Sequence, residues 1–322
     1  MKSRRLGKTG LKVSEIGFGG WAIGGAVFDS AYGATDDEIS RAAIRRALEL
    51  GVTFFDTADL YGHGHSEALL GEVMSEWPAG ERIVIATKGG VNFYRLDGSL
   101  EKDLTPYAIA NAVQHSRQRL RREKLDLYLL MNPPEEMLLD NDRVWETLVA
   151  LQKAGQLGAV GVSVEEPQEG VRLLKAGAPV DVIEVVYNLF YQSAALELFP
   201  LAHKKRVGII AREPLANGFL SGKYAADAEF PEGDMRRLLP PEYLAAMSET
   251  AQALRFLERS GRTLAQAALR FALDEPAVAV AIPGMKTPAQ VEENVAAARL
   301  PELTEEERLA IHRVFFPEEH GA

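Results

Sequence analysis

There is no cysteine among the 322 residues, so a disulfide framework and a thiolate-held metal are both excluded, and nothing marks the redox compartment. A basic surplus is also missing. The formal charge of −10 gives a self-repelling surface with no cationic stripe for a nucleic-acid backbone, so any anionic ligand must be gripped by a local cluster of donors. No apolar run approaches the length of a membrane span, and Met1-Lys2-Ser3-Arg4-Arg5 is not followed by the apolar stretch of a secretory leader. A cytoplasmic protein with no membrane or nucleic-acid partner is the expectation. Oligomeric state leaves no signature.

What is present suits one large folded body. Apolar residues make up 47% of the chain and charged residues 25%, the balance of a soluble globular protein with material for a sizeable core. The length exceeds that of an ordinary domain but fits an α/β barrel, which needs about 250 residues.

Short β-branched or aromatic runs alternate with helical patterns along the chain. Buried strands are expected at 15–18, 52–55, 83–87, 125–131, 159–163, 182–186, 208–211 and 278–282. Between them lie amphipathic stretches with start signals: Thr35 as N-cap with Glu38 three residues on, and Thr105-Pro106 and Thr287-Pro288 with proline at the first helical position. Residues 4–14 turn at Gly7-Lys8-Thr9-Gly10 and read as a hairpin that closes the barrel bottom. Residues 213–241 carry glycine and proline at intervals, and a loop of that length is usually functional. A helix over 243–260 follows, and further helices over 287–297 and 304–314 end the chain. Eight strands, each followed by a helix with no break in composition, predict one α/β domain over residues 1–322, a (β/α)8 TIM barrel.

The stretch Phe54-Phe55-Asp56-Thr57-Ala58-Asp59-Leu60-Tyr61-Gly62 stands out. It takes a buried run directly into a carboxylate and then a phenol, at the strand end where α/β sheets and barrels assemble their sites. Asp56 could equally cap a turn, and Tyr61 could pack its ring with the hydroxyl in water. Lys88 bears on that choice. It follows the apolar run 83–87 directly and cannot easily reach solvent, so it needs an anion, and Asp56 on a neighbouring strand end is at hand.

Two other motifs fail on context. Gly17-Phe18-Gly19-Gly20-Trp21-Ala22 fits a loose dinucleotide fingerprint, but a glycine-rich loop and not a helix follows it, which excludes a Rossmann domain. His63-Gly64-His65 lies in a flexible loop with no third histidine at a strand end, so no metal is expected.

Taken together, the blocks around Phe55 to Gly62, Gly64-His65-Ser66-Glu67, Ala86-Thr87-Lys88, Asp126-Leu127-Tyr128-Leu129, Gly161-Val162-Ser163, Pro214-Leu215-Ala216-Asn217-Gly218, Ser221-Gly222-Lys223-Tyr224, Ile282-Pro283-Gly284 and Glu293-Asn294 resemble the aldo-keto reductase superfamily. The likeness covers nearly the whole chain. It points to the open-ended branch that includes bacterial general-stress-type reductases and potassium-channel β subunits. It implies an NADP(H)-dependent oxidoreductase, with NAD(H) second, in which Tyr61 protonates a carbonyl oxygen, Lys88 adjusts Tyr61 and Asp56 holds Lys88. A lysine charge about 4 Å from a phenol, at an effective dielectric near 20, is worth roughly 4 kcal/mol. That corresponds to about three pH units, so Lys88 is expected to bring Tyr61 towards neutral pH.

The resemblance also implies a cofactor cradle. Gly284, Lys286, Gln290, Glu293 and Asn294 would hold the adenosine 2′-phosphate end, a role that Lys286 and the helix start at Thr287-Pro288 suit physically. Ser163 would orient the nicotinamide amide, beside Trp21. Pro214, Leu215, Asn217, Lys223 and Arg236 would form the pyrophosphate clasp and its lid. Trp21, Phe28, Asn92, Phe93 and Tyr94 are candidates for the substrate pocket, each equally plausible as loop packing, together with Tyr61 and Asn132.

Two positions depart from the family pattern. Leu130-Met131-Asn132-Pro133-Pro134 places Met131 where the family usually has histidine, and a thioether can neither donate a hydrogen bond nor polarise a carbonyl. Losing such a donor costs about 3–4 kcal/mol of transition-state stabilisation. Asn132 would replace it only if the strand end shifted by one residue. Arg212 stands where many members place an aromatic that stacks on the nicotinamide; a guanidinium can stack in its place, or pair with Glu213. The resulting expectation is reduction of an aldehyde, ketone or sugar-like carbonyl. Two alternatives remain: a sugar epimerase or dehydratase using internal redox, and an NADP-binding sensor with little turnover.

Overall fold

The computed structural model describes residues 1–25, 31–78, 82–93 and 99–316. Eight strands form one parallel sheet: β1 (Phe18–Gly19), β2 (Phe54–Asp56), β3 (Val84–Gly89), β4 (Leu125–Met131), β5 (Leu157–Ser163), β6 (Val182–Val186), β7 (Gly208–Arg212) and β8 (Val278–Ile282). Each pairs with the next in chain order. The ring closes between its first and last strands through the parallel bridges Ile16↔Ala281 and Gly19↔Gly284. Helices connect the strands, so the architecture is the expected (β/α)8 barrel.

Two apolar layers follow from the two-residue period of the strands. Phe54, Val84, Ala86, Leu127, Leu129, Ala159, Val182, Ile210 and Val280 fill the barrel interior. Their strand neighbours, among them Phe55, Ile85, Tyr128, Leu130, Val160, Ile183, Ile209 and Ala281, belong to the layer under the helices. Leu6, Leu11 and Val13 join the inner layer. They come from the hairpin Ser3–Arg5 with Lys12–Ser14, which closes the N-terminal end of the barrel as its alternation requires.

Several boundaries differ from those read in the sequence. The first helix, Asp37–Glu49, is capped by the side chain of Asp36, which accepts from the Ile39 N–H; Thr35 lies one residue too early. The carboxylate also favours the positive helix end. Residues 243–260 are not one helix: Pro241–Ala253 gives way to a 3-10 turn, Arg255–Leu257. The first strand contracts to two residues, and residues 15–17 are held by hydrogen bonds to β8 instead. Residues 213–241 contain two short 3-10 segments, Ala216–Ser221 and Met235–Leu238. No helix among the described residues is long and apolar enough to cross a membrane.

Candidate active site

Continuing the inner-layer parity by two residues leads to the site. Phe54 is followed on its face by Asp56, Ala86 by Lys88, Leu129 by Met131, Gly161 by Ser163, Val182 by Glu184, and Ile210 by Arg212. Six different strands thus deliver their last inward side chains to one level at the C-terminal mouth of the barrel, and all six line a cavity of about 680 Å³.

Lys88 lies at its centre, 1% exposed. Its ammonium donates to Asp56 Oδ1 at 2.5 Å, to the Thr57 carbonyl at 3.1 Å and to the Tyr61 hydroxyl at 3.4 Å. Glu184 Oε1 stands 3.4 Å from the same nitrogen. Burial disfavours the charge on Lys88, but Asp56 and Glu184 more than offset it and hold the ammonium charged. Asp56, in turn, is pushed well above the usual carboxylate range, by burial first and by Glu184 second. The expectation that Lys88 draws Tyr61 towards neutral pH is not met here. Burial, with help from Asp56 and Glu184, outweighs the pull of Lys88 and holds the phenol above its ordinary value. The sequence estimate counted one positive neighbour and left out burial and the second acid.

Tyr61 is fixed by packing. The Trp21 ring meets it edge-on at 4.9 Å, and Gly62 behind it takes φ +60° against the backbone of Gly24. Ser66 ties this turn to the strand end, accepting from Thr57 Oγ1 at 2.9 Å and donating to the Gly20 carbonyl at 2.9 Å.

Met131 is half-buried and packs on the cluster Leu60, Val91 and Phe93. Its carbonyl accepts from Lys102 Nζ at 2.8 Å. β4 pairs Met131 with Ser163, so there is no one-residue shift to bring Asn132 into its place. Asn132, at φ +43°, instead donates to Glu165 Oε1 at 2.5 Å. Arg212 takes up the alternative role, pairing with Glu213 and, at 3.0 Å, with Glu165, while its Nε is buried without a partner.

The proposed cofactor residues converge on the same cavity. Lys286 precedes the helix Pro288–Ala296, whose cap Thr287 accepts from the Gln290 N–H. Gln290 reaches back to accept from the Lys286 N–H at 2.7 Å, and the Lys286 ammonium donates to the Tyr32 carbonyl. Burial lowers the Lys286 pKa. Glu293 accepts from Thr263 Oγ1 at 2.9 Å, and Asn294 is buried below the groove. Across the groove, Arg236 pairs with Asp234 at 2.6 Å and donates to the Asn217 carbonyl at 3.0 Å. The rings of Tyr32, Tyr224 and Phe230 surround its guanidinium within 4.9 Å. Asn217 accepts from the Tyr32 hydroxyl at 2.6 Å, and Lys223 rests over Tyr224. A strap forms where residues 31–33 pair with Gly233 and Asp234.

Trp21, Pro214, Leu215 and Gly284 also line the cavity, whereas Asn92 and Phe93 are not in its lining. Phe93 is buried and stacks on His63 at 4.7 Å. Phe28 and Tyr94 lie outside the described residues. The site residues that sequence reasoning missed are Glu184, Lys102, Glu165 and Tyr32. Glu184 had a usable signal, an acid inside the apolar run Val-Ile-Glu-Val-Val on the parity of Val182. Lys102, Glu165 and Tyr32 sit on loops and a short hairpin whose placement has no periodicity. Among the described residues, no group of His, Asp or Glu is arranged to hold a metal ion.

Comparison with known proteins agrees with this architecture. The aldo/keto reductase family pattern matches residues 15–314. Aldo-keto reductase YhdN of Bacillus subtilis is 30% identical over 299 residues, covering 91% of this chain and 87% of that one. Aldo-keto reductase yakc [NADP(+)] of Schizosaccharomyces pombe is 27% identical, with 92% and 87% covered. The glycerol dehydrogenase AKR11B4 structure from Gluconobacter oxydans superposes with a TM-score of 0.81 at 30% identity, covering 98% of this chain and 95% of that one. The chain therefore belongs to the aldo/keto reductase family and is an oxidoreductase.

Proposed function

We propose that the protein uses NADPH to reduce an aldehyde, ketone or sugar-like carbonyl of a small molecule, with Tyr61 as the proton donor. The observation that carries this is the contact of Lys88 with both Asp56 and Tyr61, at 2.5 and 3.4 Å. A bound nicotinamide supplies the hydride. The chain's own part is to hold substrate and dinucleotide together and to manage one proton. Tyr61 keeps its hydrogen until the carbonyl oxygen needs it, Lys88 stabilises the phenolate left behind, and Asp56 keeps Lys88 charged and aimed.

The cavity suits the dinucleotide. Lys286 and the helix start at Thr287 offer positive charge to an adenosine 2′-phosphate, which favours NADP over NAD, in line with the NADP(+) in the yeast relative's name. Gln290, Glu293 and Asn294 stand beside them. Asn217, Leu215, Lys223 and Arg236 would hold the pyrophosphate, and Ser163, Arg212 and Pro214 the nicotinamide end; all of them line the cavity. The buried, unpartnered Arg212 Nε and Trp21 Nε1 leave polar atoms for a ligand to satisfy. We also infer that residues 1–322 work as one domain, since each site element comes from the same barrel.

The test follows NADPH absorbance with a panel of aldehydes, ketones and aldoses, repeated with NADH. Net consumption, with kcat/KM at least tenfold higher for NADPH, is expected. Met131 in the place of histidine favours a second reading, internal redox on a sugar, which product formation without net consumption would select. Tight binding with no turnover would select a sensor.

A further inference from the structure

One buried acid at the site has no role assigned in the proposed reaction. Glu184 sits inside β6 at 1% exposure, between valines and isoleucine that pack elsewhere. Its Oε1 lies 3.4 Å from Lys88 Nζ and accepts from Ser163 Oγ at 3.2 Å. Its Oε2 is buried with no hydrogen-bond partner, as is Asp56 Oδ2. Two carboxylates therefore share one ammonium in a dry site. Placing a second acid there is strongly unfavourable unless a positive charge answers it; among the described residues the ammonium beside it already serves Asp56, and the Arg212 guanidinium acts on it at longer range. An apolar side chain would fill the strand position with none of this penalty, so packing does not account for the residue.

The charge arithmetic does. With Asp56 alone, an ion pair of zero net charge would stand beside the phenol, with its positive end 3.4 Å away. Glu184 adds a second acid beside the same ammonium, and once both carboxyls have ionised the cluster is net negative. The other groups facing Tyr61 are few: Asp56 from β2, Lys88 from β3 and Glu184 from β6, with Arg212 of β7 and Tyr32 of the strap at longer range.

We infer that Glu184 is a positioning residue that acts on Tyr61 through Lys88, clamping the ammonium and withdrawing part of its positive field from the phenol, so that Tyr61 keeps its proton into the alkaline range. For catalysis this rests on the proposed role of Tyr61. Carbonyl reduction needs the phenol to give a proton, whereas oxidation of the alcohol needs the phenolate to accept one. Glu184 thus sets the pH at which the enzyme passes from one competence to the other.

The test is a titration that needs no turnover. Cofactor-free protein carrying 13C at tyrosine Cζ is followed by NMR from pH 7 upwards, and the Tyr61 signal is identified by its loss in Tyr61→Phe. In Glu184→Gln, which keeps the shape and the acceptor for Ser163 but removes the charge, the Tyr61 signal should start to move about one pH unit or more below wild type. Glu184→Asp, which keeps the charge, should return the onset towards wild type. An unchanged onset in Glu184→Gln, or an equal shift in Glu184→Asp, overturns the inference. Should Glu184→Gln fail to fold, Glu184→Met, similar in length and also uncharged, carries the same expectation. With cofactor and carbonyl present, the alkaline limb of reduction should move down in parallel. If wild type consumes no NADPH, the proposed function fails while the titration still decides the role of Glu184.

Discussion

Gly24 and Gly62 meet backbone to backbone: a Cβ built on Gly62 would stand 1.8 Å from the Gly24 carbonyl oxygen. Gly62 also sits at φ +60°, where a side chain is strained whatever the space. This contact seats the Tyr61 turn against the Trp21 loop. Gly62→Ala should lower stability by about 3 kcal/mol, measured by urea unfolding, because the neighbour that must yield is main chain. It should also weaken catalysis more than global stability accounts for, since Tyr61 is the adjacent residue. A variant of wild-type stability would refute the close approach.

Tyr61→Phe removes one oxygen from a ring that otherwise stays packed on Trp21. Turnover should drop about 10³-fold, the usual scale for a positioned general acid. Dinucleotide binding, followed by fluorescence, should hold within a few-fold. Activity within tenfold of wild type would exclude Tyr61 as the proton donor.

Met131→His restores a hydrogen-bond donor at the end of β4, within a patch formed by Leu60, Val91 and Phe93. For a small unbranched aldehyde, kcat should rise about tenfold or more, a part of what one such donor can supply. A fall in kcat with unchanged stability would instead indicate that the apolar wall is required by the natural substrate.

Alkaline pH should unfold the protein through its buried phenols and Lys88. Burial raises Tyr61 and Tyr128; for Lys88, burial pulls the other way, but Asp56 and Glu184 prevail and raise it too. Above about pH 10 the unfolded chain sheds these protons while the folded chain retains them. Stability is therefore intact below that pH and is lost as pH climbs, at about 1.4 kcal/mol per pH unit for each group. Urea midpoints at pH 8, 9.5, 10.5 and 11 measure the slope. Tyr128→Phe, which removes a hydroxyl that has no hydrogen-bond partner, should flatten it. A level profile to pH 11 would count against all three assignments.

The barrel was legible because its strands announce themselves twice, as short apolar runs and as gaps between capped helices. Asp56 and Lys88 were legible for the same reason: each is a charge at the end of such a run. The tuning of Tyr61 was not, because it depends on how many charges meet it and how dry the meeting place is, and neither has a sequence spacing. Glu184 shows the difference. Its parity on β6 is plain in the sequence, but its closeness to Lys88, three strands back in chain order, emerges only when the ring closes. The strap contacts of Tyr32 with Lys286 and Asn217 join loops more than 180 residues apart, with no repeating pattern to foretell them.

The shared inner level at the barrel mouth carries a lesson for how this chain tolerates change in length. Adding or deleting a single residue within any of β2 to β7 would rotate that strand's polar terminus beneath the helices and swing an aliphatic neighbour into the chamber. Growth and trimming are then confined to the connecting segments on the rim, where substrate choice can drift while the proton-handling centre stays fixed.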